Sequence, residues 1–288
     1  MNRMGNRIGY NTQKDLPQQA MPESGSSLRV EDISPEIMFC IFMHVPVKDL
    51  LKSTTCVCKY WHQLLNDCHF WFLRLKAEGL RLSETSKAKL LEEPDGAKVL
   101  RILQGYCGRY LPFNTNLILN PSGKDKFKHW TVYNRGDKMI IECPPVGTKE
   151  IPEDAGQPTQ HCFVTSYGEC IRSQGISLRC LGIDNWMMDI LKPQIHISEW
   201  VAARFDCHSQ SRIIVVMKGS KDTKEVKLFW SSDKDDVMLE KWYKVETVVL
   251  DYPTGLWQIK FTNIGKDRQF WAGHYGAKTA GSTVELVI

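Results

Sequence analysis

The chain has no pair of cysteines at the CxxC spacing that structural zinc sites favour. Its ten cysteines are scattered, apart from the neighbours Cys56 and Cys58. The N-terminus also lacks the apolar stretch of a signal peptide, so we expect a cytoplasmic protein with reduced thiols. Such thiols are usually buried as small apolar side chains, which predicts neither a metal site nor a disulfide framework.

Long apolar runs and a strong excess of one charge are missing as well. A membrane-spanning helix needs about 20 consecutive apolar residues, and no segment approaches this, so we expect no membrane insertion. The net charge is only +4, with basic and acidic residues interspersed, which does not favour a nucleic-acid partner. No sequence period recurs along the chain, which excludes a propeller or a solenoid.

Signatures of catalysis are also absent. The sequence contains no GxSxG, no HExxH and no glycine-rich phosphate loop. The adjacent pairs His161-Cys162 and Cys207-His208 do not by themselves create a nucleophile and its base. The acidic residues Asp233, Asp235 and Asp236 are best explained as a solvated turn. We therefore predict no catalytic residues, no cofactor and no intrinsic enzymatic activity.

The N-terminal part of the chain changes from polar to helical character. Residues 1–30 are rich in Gly, Ser, Gln and Asn and predict a disordered tail. Pro35 suits the first position of a short helix, which should end near Val45-Pro46 because residues before proline avoid the helical region. A second helix should restart at this proline, and apolar residues between 57 and 65 follow one face of a third.

Three short helices in a segment of about 40 residues make a marginal core. The apolar side chains could therefore bind a partner, as a helix binds in a groove. They could equally form a cap on a larger domain, and periodicity alone leaves both alternatives open. Good helix formers continue after this module and predict a helical linker, which is interrupted by a turn signal at residues 94–96.

From residue 113 onward the pattern changes to short strands that are separated by turn signals. The predicted strands are 130–133, 139–142, 162–166, 176–179, 195–200, 212–218, 225–230, 242–250, 257–262 and 283–288. With one short helix at 184–190, they predict an antiparallel β-sandwich. The chain as a whole is predicted to be α+β, with an N-terminal module at 31–76, a helical linker at 77–112 and the sandwich at 113–288.

One segment near the C-terminus combines aromatic residues with small ones. Phe270, Trp271, His274 and Tyr275 stand among Gly and Ala residues. Small residues permit tight turns, and rings beside them offer flat faces with few rotors to freeze. The rings could bind a ligand or plug the core, and both alternatives stay open. For His274 and Tyr275 we favour packing.

The N-terminal module resembles an F-box. The matching residues are Pro35, Ile37, Phe42, Val45, Pro46, Leu50, Leu51, Val57, Trp61 and Leu64. The resemblance implies that these residues bind the Skp adaptor of a cullin-RING ubiquitin ligase. In one departure from the family, the Leu-Pro pair that usually precedes the first helix is Ile33-Ser34 here.

The remaining chain resembles the F-box-associated (FBA) domain of the sugar-recognising F-box proteins. The matching motifs lie in order at 116–121, 163–167, 200–207, 251–253 and 270–276. The resemblance implies a jelly-roll-like sandwich that binds the chitobiose core of high-mannose N-glycans. The implied contacts are Tyr167, Asp206, Phe270, Trp271 and Ala272. Ala272 replaces a lysine of one family member. Ile264 replaces a flexible glycine, and we expect it to stiffen the approach to the loop.

Together, the resemblances predict a non-catalytic substrate-recognition subunit of an SCF-type ubiquitin ligase. Its substrates would be N-glycosylated, misfolded proteins in the cytosol. Two alternatives stay open: an adaptor-bound receptor for a protein surface without glycan, and a cytosolic lectin-like protein that joins no ligase.

Overall fold

The computed structural model describes residues 29–155, 159–234 and 237–288. The predicted disordered tail lies outside these residues, except for its last two positions, where a 3-10 turn begins at Val30. The helices are α1 Pro35–Met43, α2 Val47–Lys52, α3 Lys59–Leu65, α4 Cys68–Ala77, α5 Glu84–Glu92, α6 Gly96–Cys107 and α7 Asn185–Leu191. Six of these seven helices precede the sandwich, and four of them, rather than the three predicted, lie within residues 35–77.

Local sequence explains where the helices begin. Pro35 occupies the first position of α1, where its missing N–H would have no partner in any case. Asp67, Ser83 and Asp95 precede α4, α5 and α6, and their side chains accept backbone N–H groups of the first turn. α1 ends at Met43, before the proline that was predicted to stop it.

A buried arginine joins the first and fourth helices. The Arg74 Nη1 group on α4 donates to the carbonyl oxygens of Phe42 and Met43, at 3.0 and 2.7 Å. These carbonyls belong to the last turn of α1, and the Phe42 carbonyl also accepts the Val45 N–H at 3.1 Å. Arg74 also forms an ion pair of 2.7 Å with Glu78. Arg74 therefore caps α1 and holds it on α4.

The sandwich consists of ten strands. They are β1 Thr131–Tyr133, β2 Ile140–Glu142, β3 Cys162–Val164, β4 Cys170–Ser177, β5 Gln194–Ala202, β6 Ser209–Lys218, β7 Thr223–Ser231, β8 Tyr243–Val249, β9 Gln258–Asp267 and β10 Lys278–Val287. They form two five-stranded sheets in the orders β1-β4-β9-β6-β7 and β2-β3-β10-β5-β8. Neighbouring strands are antiparallel. The predicted α+β fold with a C-terminal sandwich is therefore confirmed.

The strand limits were predicted least well where polar residues face the core. β4 runs over Cys170–Ser177, whereas the prediction placed this strand at 176–179. Its core-facing positions include the buried Arg172, which breaks the apolar alternation. β9 was predicted to end at residue 262 but continues to Asp267, and its core-facing positions beyond that point include Asn263. The parts of β4 and β9 that the prediction missed are thus the parts with polar residues on the core-facing side.

Those core-facing polar residues form one network between the sheets. Arg172 on β4 forms an ion pair with Glu199 on β5 of the opposite sheet, and both side chains are fully buried. Arg172 also donates to the hydroxyl oxygens of Thr279 at 2.9 Å and Ser282 at 3.1 Å. Asn263 Nδ2 donates to Glu199 Oε2 at 2.7 Å. The network therefore connects β4 and β9 with β5 and β10.

Aromatic rings complete the environment of this ion pair. The Arg172 guanidinium lies 4.0 Å from the Phe163 ring centroid and 4.4 Å from that of Trp130. Burial lowers the pKa of the Arg172 guanidinium, while the Glu199 carboxylate beside it opposes that shift. Because a guanidinium has a very high pKa, Arg172 stays charged, and its carboxylate partner is required in the core.

The helical linker rests on the sandwich. Arg101 on α6 forms an ion pair of 2.8 Å with Asp184, and its guanidinium lies 5.7 Å from the Trp186 ring centroid. Lys89 on α5 donates to the Leu191 carbonyl oxygen at 3.4 Å. These contacts all involve α7 or its first flanking residue. The short helix inside the sandwich is therefore the platform for the linker.

All ten cysteines are free thiols. Cys107, Cys162, Cys170 and Cys207 are buried, whereas Cys40, Cys56, Cys143 and Cys180 are exposed. The expectation that the thiols are mostly buried is thus too general. In the part of the chain that the structure describes, no group of three or more His, Cys, Asp or Glu residues could hold a metal ion. None of the described helices is long and apolar enough to cross a membrane.

Replacing Arg172 by methionine should lower the free energy of unfolding by about 3–5 kcal/mol, because Glu199 would be left as an unpaired buried charge. Urea denaturation measures this loss. The control is Arg212→Met, which removes a 3.4 Å ion pair with Glu169 on the exposed face of the same sheet. That variant should lose about 1 kcal/mol or less. Equal losses in the two variants would contradict the assigned role of the buried pair.

Candidate binding site

The loop between β9 and β10 presents two aromatic rings to solvent. Phe270 is 76% exposed and Trp271 is 43% exposed. The Phe270 ring lies 5.0 Å from the Tyr167 ring, edge to face, and the Trp271 ring lies 5.7 Å from the Tyr275 ring. Phe270 and Trp271 are therefore not core plugs, and their faces are available for contact.

A buried carboxylate shapes the start of this loop. Asp267, which is 2% exposed, accepts the N–H of Phe270 at Oδ1 and the N–H of Trp271 at Oδ2, both at 2.9 Å. Its own N–H donates to the Ser166 carbonyl oxygen at 3.0 Å. Phe270 has a φ of +60°, which is uncommon for a residue other than glycine. The Asp267 carboxylate stabilises this turn and so directs the two rings outward.

A second carboxylate holds the far end of the loop. The Gly273 N–H donates to Asp137 Oδ2 at 2.5 Å, and the His274 ring nitrogen Nε2 lies 3.0 Å from the Asp137 carbonyl oxygen. The Asp137 N–H in turn donates to Ser166 Oγ at 2.8 Å. The structure thus gives His274 a structural contact, in line with the packing that we favoured.

Asp206 is linked to the loop through the side chain of Arg204. Its carboxylate forms an ion pair of 2.8 Å with Arg204 Nε. The Arg204 guanidinium lies 4.7 Å from the centroid of the Tyr275 ring, which contacts Trp271. Asp206 is therefore linked to Trp271 through two intermediate residues, and a direct contact of Asp206 with a ligand stays a prediction.

A depression of about 240 Å³ lies beside the loop. It is lined by Tyr167, Lys266, Asp267, Arg268 and Phe270. Of the predicted contacts, the structure thus brings Tyr167 and Phe270 together here, whereas Asp206, Trp271 and Ala272 lie outside this lining. The sequence motifs do not single out Lys266 or Arg268, although both flank Asp267 just before the aromatic residues.

The two positions that depart from the family pattern differ in their surroundings. Ala272 is exposed in the loop, where it offers a methyl group and no hydrogen-bonding side chain. Ile264 lies inside β9, where it pairs with Ile171 of β4 and Arg212 of β6. The expectation that Ile264 stiffens the loop is therefore wrong, because strand pairing already fixes this position.

Another depression, of about 460 Å³, lies on the outer face of the sheet that contains β5, β8 and β10. Trp200, Lys244 and Glu246 are among its lining residues. Trp200 packs against a cluster that includes Ala155, and Lys244 pairs with Glu246 at 2.7 Å. Since Trp200, Lys244 and Glu246 already have partners, we regard the aromatic loop as the better candidate site.

A separate candidate surface lies on the N-terminal helices. Ile37 and Val57 are large apolar side chains that are 56% and 59% exposed. Of the other predicted adaptor contacts, Pro35 and Pro46 are exposed, Val45, Leu51 and Trp61 are half-buried, and Phe42, Leu50 and Leu64 are buried. The three buried residues pack inside the helical core. In this structure they are not exposed for contact with a partner and instead pack beneath the exposed residues.

Two further apolar residues extend this helical surface. Ile41 is exposed and stands one helical turn after Ile37, so both share a face of α1. Val30 is exposed and lines a depression of about 460 Å³ together with Val57 and Trp61. The F-box resemblance does not single out either residue, but the period of α1 indicates Ile41.

Helices with an exposed apolar face, followed by a two-sheet sandwich with an aromatic loop, define an α+β protein with two separate surfaces. Residues 109–286 match the family model described as F-box associated region, and residues 35–74 match the one described as F-box-like. The first match covers more than half of the chain. The chain therefore belongs to the F-box-associated family and carries an F-box-like segment.

Relatives match along nearly the whole chain. F-box only protein 17 from Homo sapiens is 29% identical over 268 residues, which cover 91% of this chain and 94% of that protein. F-box only protein 6 from Rattus norvegicus is 28% identical over 269 residues, which cover 89% and 86%. Among solved structures, TmCBM61 in complex with β-1,4-galactotriose is 13% identical and covers 60% of this chain and 99% of its own, with a TM-score of 0.38. That score is too low to support a conclusion.

Replacing Asp267 by alanine should loosen the aromatic loop, because the N–H groups of Phe270 and Trp271 lose their acceptor. Their amide hydrogen exchange should become about tenfold faster or more, as measured by NMR. The control is Asp233→Ala, which removes an exposed carboxylate that pairs with Arg268 at 2.9 Å. Exchange of the two amides should be unchanged there. Unchanged exchange in the Asp267 variant would contradict the role of its carboxylate.

Proposed function

We propose that this chain is a substrate-recognition subunit of an SCF-type ubiquitin ligase that acts in the cytosol. Its aromatic loop binds the chitobiose core of N-glycosylated, misfolded proteins. The main support is the outward-facing ring pair Phe270 and Trp271, held by a buried carboxylate in a chain of the F-box-associated family. The chain performs no covalent chemistry and instead brings the substrate close to the conjugating enzyme.

The loop has the chemistry that a pyranose requires. A pyranose has an apolar C–H face and a rim of hydroxyl groups, which suits an aromatic surface with a few polar groups beside it. Phe270 and Trp271 supply the ring faces. Tyr167 supports Phe270 from its edge and has a hydroxyl that can donate or accept. Because carboxylates hold the loop at both ends, little entropy is lost when a ligand binds.

The helical surface suits a protein partner. Ile37, Ile41 and Val57 expose apolar area that a monomeric protein usually covers. Ile37 and Ile41 stand on α1, whose other face carries the buried Phe42, and Val57 stands in the turn before α3. An apolar groove of the Skp adaptor, with the cullin-RING ligase behind it, is the partner that the F-box-like match suggests.

The helical linker fixes the position of the helical surface relative to the aromatic loop. Gln104 on α6 donates to the Leu65 carbonyl oxygen of the F-box-like helices at 3.4 Å. On the same helix, Arg101 pairs with Asp184 of the sandwich at 2.8 Å. One helix therefore contacts both parts. A substrate held at the loop would sit at a defined distance from the adaptor, as ubiquitin transfer requires.

One observation favours a second function, the recognition of a protein surface without glycan. Phe205 and Val146 are large apolar residues that are more than half exposed. They lie near each other, because the Phe205 N–H donates to the Gly147 carbonyl oxygen at 3.0 Å. An apolar polypeptide could bind there independently of any sugar. Substrate binding that survives enzymatic deglycosylation would favour this alternative.

Replacing Trp271 by alanine should weaken chitobiose binding at least about tenfold, since Trp271 supplies one of the two ring faces proposed to contact the sugar, and such aromatic contacts carry much of the affinity. Titration calorimetry with N,N′-diacetylchitobiose measures this. The matched control is Trp257→Ala: Trp257 has the same 43% exposure but lies at the opposite end of β9. Wild-type affinity in the Trp271 variant would refute the proposed site.

Replacing Ile37 by aspartate should weaken binding to the purified Skp adaptor by about 30-fold, because a charge would enter an apolar contact. The control is Leu91→Asp, which places the same charge at a residue of α5 that is 66% exposed. Both variants should keep the helical content of the parent in circular dichroism. Adaptor affinities that are equal in the two variants would contradict the assignment of the α1 face.

A further inference from the structure

The small depression beside the aromatic loop contains few polar groups that are free to meet a ligand. Both carboxylate oxygens of Asp267 already accept N–H groups of the loop. Arg268 is engaged as well, since its Nε pairs with Asp233 at 2.9 Å and its Nη1 donates to Gln210 Oε1 at 2.9 Å. Asp267 and Arg268 therefore shape the depression but have little hydrogen-bonding capacity left for a ligand.

Lys266 is the remaining charged residue in this lining. It stands on the outward face of β9, between the buried Gly265 and Asp267. Within residues 29–155, 159–234 and 237–288, its ammonium group makes no ion pair and no hydrogen bond with a side chain. The rings of Tyr167 and Phe270 line the same depression. The ammonium group is thus available beside two aromatic side chains.

The chemistry of this group restricts the ligand. An ammonium group has three donors and no acceptor, so the atom that it contacts must be a hydrogen-bond acceptor. Ala272, on the other side of Trp271, provides no alternative donor. The charges near the depression sum to zero, because Lys266 and Arg268 are matched in number by the carboxylates of Asp267 and Asp233, and Arg268 is paired with Asp233. A neutral acceptor therefore fits better than an anionic group.

We infer that Lys266 is a specificity-determining residue of the aromatic-loop site and donates to the acetamido carbonyl oxygen of an N-acetylated sugar. This inference rests on the proposed glycan-binding function and assigns a ligand group to it. The methyl of the same acetamido group packs against the rings of Tyr167 and Phe270. The site thus distinguishes N-acetylated sugars from sugars that carry a hydroxyl at that position.

The test uses the full chain and titration calorimetry with two β-1,4-linked disaccharides, N,N′-diacetylchitobiose and cellobiose, which lacks the acetamido groups. Lys266→Met removes the donors at similar length, and Lys266→Arg retains donors. Lys260→Met is the matched control, because Lys260 lies on the same outward face of β9 and is exposed. Near-ultraviolet circular dichroism of each variant verifies that the sandwich and the loop are intact.

We expect Lys266→Met to weaken chitobiose binding by about tenfold and to reduce the preference over cellobiose by a similar factor. Lys266→Arg should stay within about threefold of wild type, and Lys260→Met should be unchanged. Because the acceptor is neutral, raising the salt concentration from about 50 mM to about 500 mM should change the affinity by less than about twofold.

Three results would overturn the inference in different ways. Wild-type chitobiose affinity in Lys266→Met would refute the role of Lys266 but would not contradict the proposed glycan-binding function. A steep loss of affinity with salt, together with stronger binding of an acidic sugar, shows an anionic ligand and refutes the neutral acceptor. If the folded wild-type chain binds no chitobiose, the proposed glycan function fails, and the role of Lys266 fails with it.

Discussion

The ion pair between Arg172 and Glu199 is the contact on which the sandwich depends. The two charges can be buried between the sheets only if each has the other as its partner, because an unpaired charge in the core costs several kcal/mol. This requirement fixes how β4 lies opposite β5. Asn263, which pairs with Arg172 in the β4–β9 ladder, donates to the same carboxylate and so ties β9 into the arrangement. The register of β9 is therefore set from the core.

The position of the aromatic loop follows from that register. Successive residues of a strand point to opposite faces, so Asn263 and Asp267 share the core-facing side of β9. Asp267 is the last residue of the strand, and its buried carboxylate is positioned to accept the first N–H groups of the loop. The same alternation places Lys266 outward. Core electrostatics and surface chemistry are thus connected through a single strand.

The helical part uses buried arginine chemistry in a similar way. Arg74 caps the end of α1 from inside the core, which leaves the apolar residues Ile37 and Ile41 of that helix without an internal partner. α6 then joins this module to the sandwich through Arg101 and Asp184. In both parts of the chain, a buried polar group holds an element whose outer face stays exposed.

Local patterns in the sequence were sufficient for the fold class, the number of strands, the start of the first helix and the family motifs. Each of these depends on neighbouring residues: Pro35 begins α1, and alternating apolar residues define β5 and β6. Tyr167 and Phe270 were paired from the family resemblance, and the structure brings their rings together.

Only the tertiary structure decided the rest. The limits of β4 were predicted wrongly because Arg172 faces the core. The sequence does not show that its partner Glu199 lies on the opposite sheet. Asp206 proved to be linked to Trp271 through Arg204 and Tyr275, and Lys266 proved to line the depression. Alternation along a strand tells which residues share a face. It does not tell which distant side chain meets them there, because that depends on how the two sheets pack.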